Sequence, residues 1–226
     1  MKKNTYVQFE NSFFEKIIKN KRLEMFNILK KKINIYKLND LLDVGTTNDS
    51  DLKSSNMFCN MLEVIPIHKS VSNQAINNKR FKICKKKSIT SNFNKKEIHQ
   101  LKSDLVISSA TIEHVGSLKN QIKKVNNMIK LSKKYILLTT PNRFFPIEVH
   151  TKLPLIHWLP KNIFRKILLL LGMSYFAYEK NLNLLNKNTL HIILSNFSKK
   201  INYNIYNIKF LGFVSNFLVI GEVKKK

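Results

Sequence analysis

The sequence predicts an α/β protein built on a mostly parallel β-sheet with an antiparallel edge. Short β-branched and Leu-rich runs, typical of buried parallel strands, recur along the chain. The clearest are Leu105-Val106-Ile107-Ser108-Ser109 and Tyr135-Ile136-Leu137-Leu138-Thr139. Helical periodicities alternate with them. The chain then ends in two strand-like runs, 201–210 and 216–223, joined through Gly212. That connection is too short for a crossover, so the pair must be antiparallel.

Each element has its own signal. Over residues 8–33, Phe9, Phe13, Phe14, Ile17 and Ile18, then Leu23, Phe26, Leu29 and Ile33 recur at helical spacing, with lysines opposite. Such a helix covers a sheet face or lies on a membrane surface. Asp40-Leu41-Leu42-Asp43-Val44-Gly45 reads as a first strand that delivers an acid and a glycine turn to the top of the sheet. Glycine suits that point because it accepts positive φ and close backbone approach. Residues 46–56 read as loop. A second strand is expected over 61–68, bounded near Pro66, and a third over 80–85. Residues 69–100 otherwise carry little pattern. Asp104 leads the fourth strand, Thr111-Ile112-Glu113-His114-Val115 turns out of it, and 117–133 reads as a helix with Ile122, Val125, Met128 and Ile129 on one face. Pro141 ends the strand at Thr139 because it has no N–H for a ladder. Further helices are expected over 161–171, capped by Gly172, and over 188–197.

Composition narrows the partners. Forty Lys and Arg against 14 Asp and Glu give a formal charge of +26, a preference for anionic partners. Lysine dominates, and no segment interleaves basic with aromatic residues, which argues against nucleic acid. Compositional drift toward Lys, Asn and Ile explains much of the charge. Peripheral contact with an anionic membrane is the remaining reading. The longest apolar run, 167–171, falls far short of the roughly 20 residues that span a bilayer, and the first residues lack an apolar leader core. Cys59 and Cys84 supply neither a disulfide framework nor a metal cluster. A cytoplasmic protein is expected, with a membrane-peripheral position as the alternative.

The segment 135–160 concentrates the chemistry. After the strand come Asn142, Arg143, Glu148, His150, His157 and Trp158. A polar, aromatic-rich loop at the carboxyl end of a buried strand is where open α/β sheets keep ligand sites. The competing reading makes Phe144, Phe145 and Trp158 core residues and Arg143–Glu148 a structural ion pair.

The motifs resemble those of class I S-adenosylmethionine-dependent methyltransferases. They are Leu42-Asp43-Val44-Gly45, the strand Asp104 to Ser109, Glu113-His114-Val115 and Thr140-Pro141-Asn142-Arg143. The last two are similar to motifs of the type 11 branch related to ubiquinone-biosynthesis enzymes. The run from Phe145 to Pro160 is similar to a bacterial subgroup found near polysaccharide pathways. The resemblance spans roughly residues 38–223, with 1–37 as a helical extension. It implies a Rossmann-like, seven-stranded sheet and S-adenosylmethionine as cofactor. It implies cofactor contacts from Asp43, Gly45, Thr46, Ser108, Ser109 and Ala110. The family's second and third motif glycines are replaced by Thr47 and Asp49. The acid that holds the ribose has no counterpart, since Glu63 comes too early, and neither has the acid after the third strand.

Methyl transfer from a sulfonium is an in-line displacement that asks the protein for orientation and dryness. For a hydroxyl acceptor a base helps, and His114 and His150 are the candidates. Asn142, Arg143, Glu148 and Trp158 are candidates for the acceptor side, with Arg143 as an anion clamp and Trp158 as a wall for a sugar. No metal is implied. The function expected is methyl transfer to a small-molecule or glycan- or lipid-linked acceptor. The alternative is a catalytically silent Rossmann-like binding or assembly module.

Overall fold

The computed structural model of the chain describes residues 12–48 and 61–224; the remainder of the expected 46–56 loop, Cys59 and the first helical positions lie outside them. Among the described residues, seven strands form one sheet: β1 (Asp40–Val44), β2 (Ile67–Ser72), β3 (Phe81–Lys86), β4 (Ser103–Ser109), β5 (Ser132–Pro141), β6 (Ile201–Phe210) and β7 (Phe213–Val223). Their order is β3-β2-β1-β4-β5-β7-β6. Strands β1 to β5 run parallel, while β7 lies antiparallel to β5 and β6 antiparallel to β7.

Strand parity divides the core in two. Leu42, Val44, Val106, Ile136 and Leu138 face α3 (Leu118–Leu131) and α6 (Lys187–Ser195), whose Val125, Met128, Leu190 and Ile193 pack against them. Leu41, Leu105, Ile107 and Leu137 face the other way, under Met25, Leu29 and Ile33 of the N-terminal region. The basic helix α1 (Ser12–Lys32) therefore covers a sheet face with its apolar side. Alternate residues of one strand serve opposite cores, which is why these strands are apolar throughout.

Two acids close the lower edge of the sheet. Asp40 accepts from the Asp104 backbone N–H at 2.7 Å and from Lys69 and Lys133; Asp104 accepts from the Asn39 N–H and from Lys134.

The sequence expectations need several corrections. The second strand begins after Pro66, not before it: residues 62–66 form a turn and a bend, and β2 runs Ile67–Ser72. Proline cannot donate to a ladder, so it marks the entry to the strand here. β7 starts at Phe213, three residues early, because a two-residue turn of Leu211 and Gly212, both at positive φ, lets Phe210 pair with Phe213. The unpatterned 69–100 region holds the short helix α2 (Lys95–Leu101), begun by an Asn94–Glu97 capping box. α4 (Lys161–Leu170) ends as expected at Gly172. Gly172 N–H donates to Leu169 and Met173 N–H to Leu168, the paired bonds of a Schellman end. The four-residue helix α5 (Ser174–Ala177) follows.

Candidate functional site

Strand order reverses at β1, with β2 and β3 on one side and β4 and β5 on the other. The carboxyl ends of β1 and β4 thus flank the switch point where open α/β sheets bind ligands.

At the end of β1, Asp43 is buried and Gly45 sits at φ +91°. A Cβ at Gly45 would lie 2.8 Å from Thr111 Cγ2, so glycine is required by both dihedral and space. The turn is fastened to β2. Gly45 N–H donates to Val71, Ser70 Oγ donates to Thr46 Oγ1 and Ser72 Oγ to the Thr46 carbonyl. Asn48 reaches across to Ala75 and Asn77. With β2 correctly placed, its end presents Ser72, Asn73 and Gln74, so among the described residues no acid stands there; Glu63 pairs with Arg80 instead.

At the end of β4, Ser108 and Ser109 are buried. Ser108 Oγ bonds Thr111 Oγ1, and Ser109 Oγ accepts from Thr139. Ala110 lies at φ 47°, and its N–H donates to the Thr139 carbonyl. Past β3, Lys85 and Lys87 are met by Glu97 from the first turn of α2. These bonds hold the Glu97 carboxyl down to about 2.

Glu113 and His114 stand in a single 3-10 turn after β4, and His150 arrives on the loop after β5. The two imidazole rings meet edge to face, centroids 4.7 Å apart. Glu113 is fully buried. Its Oε2 accepts from Thr140 Oγ1 at 3.1 Å, and its Oε1 has no hydrogen-bond partner among the described residues and lies 3.9 Å from His150 Nε2. His150 Nδ1 donates to Glu148 Oε1 at 2.6 Å, and Glu148 also accepts the N–H groups of His150 and Thr151. Burial opposes charge on both partners, but their mutual bond wins: Glu148 falls to about 2 and His150 stays above its usual range. His114 Nδ1 donates to the Asn181 carbonyl at 2.7 Å; burial lowers its pKa despite the nearby Glu113.

Lys124, on α3, went unnoticed in the sequence. It is 1% exposed and donates to Thr111 Oγ1. Burial lowers its pKa to about 7, against the pull of Glu113 and Asp43. The available signal was phase: Gln121, Lys124 and Met128 share the buried face of α3. In so lysine-rich a chain that one position did not stand out.

The remaining candidates mostly hold the loop. Asn142 N–H and Nδ2 donate to Ser215 and Val214 of β7. Arg143 donates to the carbonyls of His157 and Leu159, while the partner of Glu148 is His150. His157 is buried against the Phe145 carbonyl, and Trp158, 42% exposed, lies beside it. The structure thus brings Asp43, Gly45, Thr46, Ser108, Ser109 and Ala110 to the switch point. It joins His114 to His150 and Glu148. Asn142 and Arg143 are hydrogen-bonded to β7 and to the loop, and Trp158 Nε1 donates to the Phe145 carbonyl.

No protein-family model matches the chain, and no curated protein sequence matches it. Solved structures do. An N-methyltransferase NodS from Bradyrhizobium japonicum aligns over 96% of this chain and 100% of its own, with a TM-score of 0.53 and 8% identity. The magnesium protoporphyrin IX methyltransferase of Synechocystis, with bound S-adenosylmethionine, aligns over 98% and 88%, with a TM-score of 0.53 and 7% identity. An O-methyltransferase family protein from Burkholderia thailandensis aligns over 94% of this chain and 59% of its own, with a TM-score of 0.55 and 8% identity. At such identity the likeness is one of architecture: the chain has the Rossmann-like fold of the class I methyltransferases.

Proposed function

We propose that the protein is an S-adenosylmethionine-dependent methyltransferase of the type 11 kind, acting on a small-molecule or glycan- or lipid-linked acceptor. One observation carries the proposal. In a chain of charge +26, three buried carboxylates, Asp43, Glu113 and Glu148, gather at or beside the switch point of a methyltransferase fold, with Lys124 near Asp43 and Glu113 and His150 on Glu148. A buried site of that sign suits a cationic ligand. When bound, the cofactor supplies an activated methyl carbon, whose bond to sulfur breaks as the bond to the acceptor forms, leaving the electron pair on a neutral thioether.

This chain's own residues supply orientation and electrostatics. Asp43 offers its carboxylate to the cationic end of the cofactor. Gly45 and Thr46 shape the turn, and Ser108, Ser109 and Ala110 form the wall opposite. Ser72, Asn73 and Gln74, all neutral, would face the ribose hydroxyls where the family has an acid. His114 and His150 handle the proton that an oxygen acceptor gives up. Leu155, Trp158, Leu159, Ile163, Leu170 and Leu171 leave apolar surface exposed on the loop after β5 and around α4, which supports an apolar or lipid-linked acceptor and a membrane-peripheral position.

Calorimetric titration of the folded chain with S-adenosylmethionine and S-adenosylhomocysteine tests this reading. The expected result is a dissociation constant on the order of micromolar, weakened at least tenfold in Asp43→Asn. Absence of binding at millimolar ligand would favour the silent-domain reading.

A further inference from the structure

We propose that Glu113, His114 and His150 form a binding site for one divalent transition-metal ion. Their ligand atoms all lie within 4.8 Å of one another. An ion about 2.1 Å from each donor needs donors roughly 3 to 4 Å apart, so modest side-chain movement closes the set.

Three further features point to a cation. The first is the fully buried Glu113 Oε1, which has no hydrogen-bond partner among the described residues. A bare carboxylate oxygen in a dry interior costs free energy unless something positive meets it. The second is the outer hydrogen bonding of both rings. His150 gives its Nδ1 proton to Glu148, and His114 gives its Nδ1 proton to the Asn181 carbonyl. Each neutral ring then keeps its lone pair on Nε2. Carboxylate and carbonyl partners on the far nitrogen are the usual supports of metal-bound histidine. The third is charge. Glu113 and Glu148 are both buried, with His150 on Glu148 and Lys124 near Glu113, and a divalent ion would add positive charge beside the bare Glu113 oxygen.

Two imidazoles and one carboxylate favour zinc, manganese or iron over magnesium or calcium, which prefer all-oxygen sets. Three protein ligands leave positions open for water or an acceptor oxygen. Resting on the methyltransferase reading, the ion would hold the acceptor hydroxyl beside the end of β4 and make its proton easier to lose. The proton would pass to water at an open coordination position, since both Nε2 lone pairs would be on the ion; the histidines would act on it only through the ion they bind. Metal binding itself does not depend on that reading.

The test uses the full chain, stripped with a chelator and titrated with Zn²⁺ or Mn²⁺ in the absence of any cofactor. The expected result is one ion per chain at micromolar or tighter affinity. Glu113→Gln should weaken it at least 100-fold, and Glu148→Gln, which removes only the outer support, roughly 10- to 100-fold. Nuclear magnetic resonance of the wild type gives a readout that needs no variant: Zn²⁺ should shift the ring signals of two of the six histidines. No binding, binding unchanged in Glu113→Gln, or shifts confined to other histidines would each overturn the site. A pH-dependent His150–Glu113 ion pair without metal affinity is one such outcome. Ion binding without S-adenosylmethionine binding would keep this site and sink the methyl-transfer reading; the reverse result would do the opposite.

Discussion

Gly45 shows how one residue joins backbone to site. Its φ of +91° excludes most side chains, and Thr111 fills the space a Cβ would need. Gly45→Ala should cost about 3 kcal/mol in urea unfolding, part from left-handed strain and part from overlap with Thr111. Adding Thr111→Ser removes the Cγ2 contact at 2.8 Å but leaves Oγ1 at 3.0 Å and Cβ at 3.1 Å, so it should recover only about 1 kcal/mol of the loss. Full recovery would show that the dihedral carries no cost. The glycine turn was legible because an apolar run closes at Gly45, a common signal at strand ends; the part given to Asp43 came from the resemblance, since an acid there also reads as a cap or a structural acid. Lys124 was not, because its burial depends on what α3 packs against.

Among the elements, the β6–β7 hairpin offers a clean measurement. Leu211 occupies the first position of its two-residue turn at φ 48° and is 79% exposed. Leucine is strained there, whereas asparagine tolerates that conformation. Leu211→Asn should therefore stabilise the protein by about 1 kcal/mol, seen as a rise of a few degrees in Tm. A fall in Tm would mean the turn has another geometry. The displaced β2 and the unforeseen α2 share one cause. Pro66 can close a strand or precede one, and only pairing with β1 decides which. The Asn94-x-x-Glu97 box was present in the sequence, but lysine and asparagine clusters around it obscured the boundary.

Across the whole molecule, charge sets the response to acid and salt. Asp40 is held below the ordinary carboxylate range: burial opposes its ionisation, but bonds to Lys69 and Lys133 outweigh that. Glu97 is held to about 2 by Lys87, the Asn94 backbone and Lys85. In both cases the unfolded chain binds protons more readily. The stability they contribute is present above about pH 4 and is lost as pH falls through the folded values. Protonating the 14 acids also leaves 40 Lys and Arg unopposed. Acid unfolding monitored by circular dichroism should begin below about pH 4, and 0.3 M salt should shift its midpoint to lower pH by screening the repulsion. A shift the other way would mean that specific ion pairs, and not overall repulsion, dominate.

The parallel core strands, the glycine turn and the antiparallel end of the sheet follow from local patterns: apolar runs, a proline and a short final connection. Those patterns constrain the backbone wherever the rest of the chain lies. The pairing of Glu113 and His114 with His150, the bond of His150 to Glu148 and the burial of Lys124 do not follow from them. Thirty-six residues separate His114 from His150, and only the parallel alignment of β4 with β5 brings the loops that follow them together. Charge and burial at a site depend on contacts across strands, and contacts at that separation have no local signature.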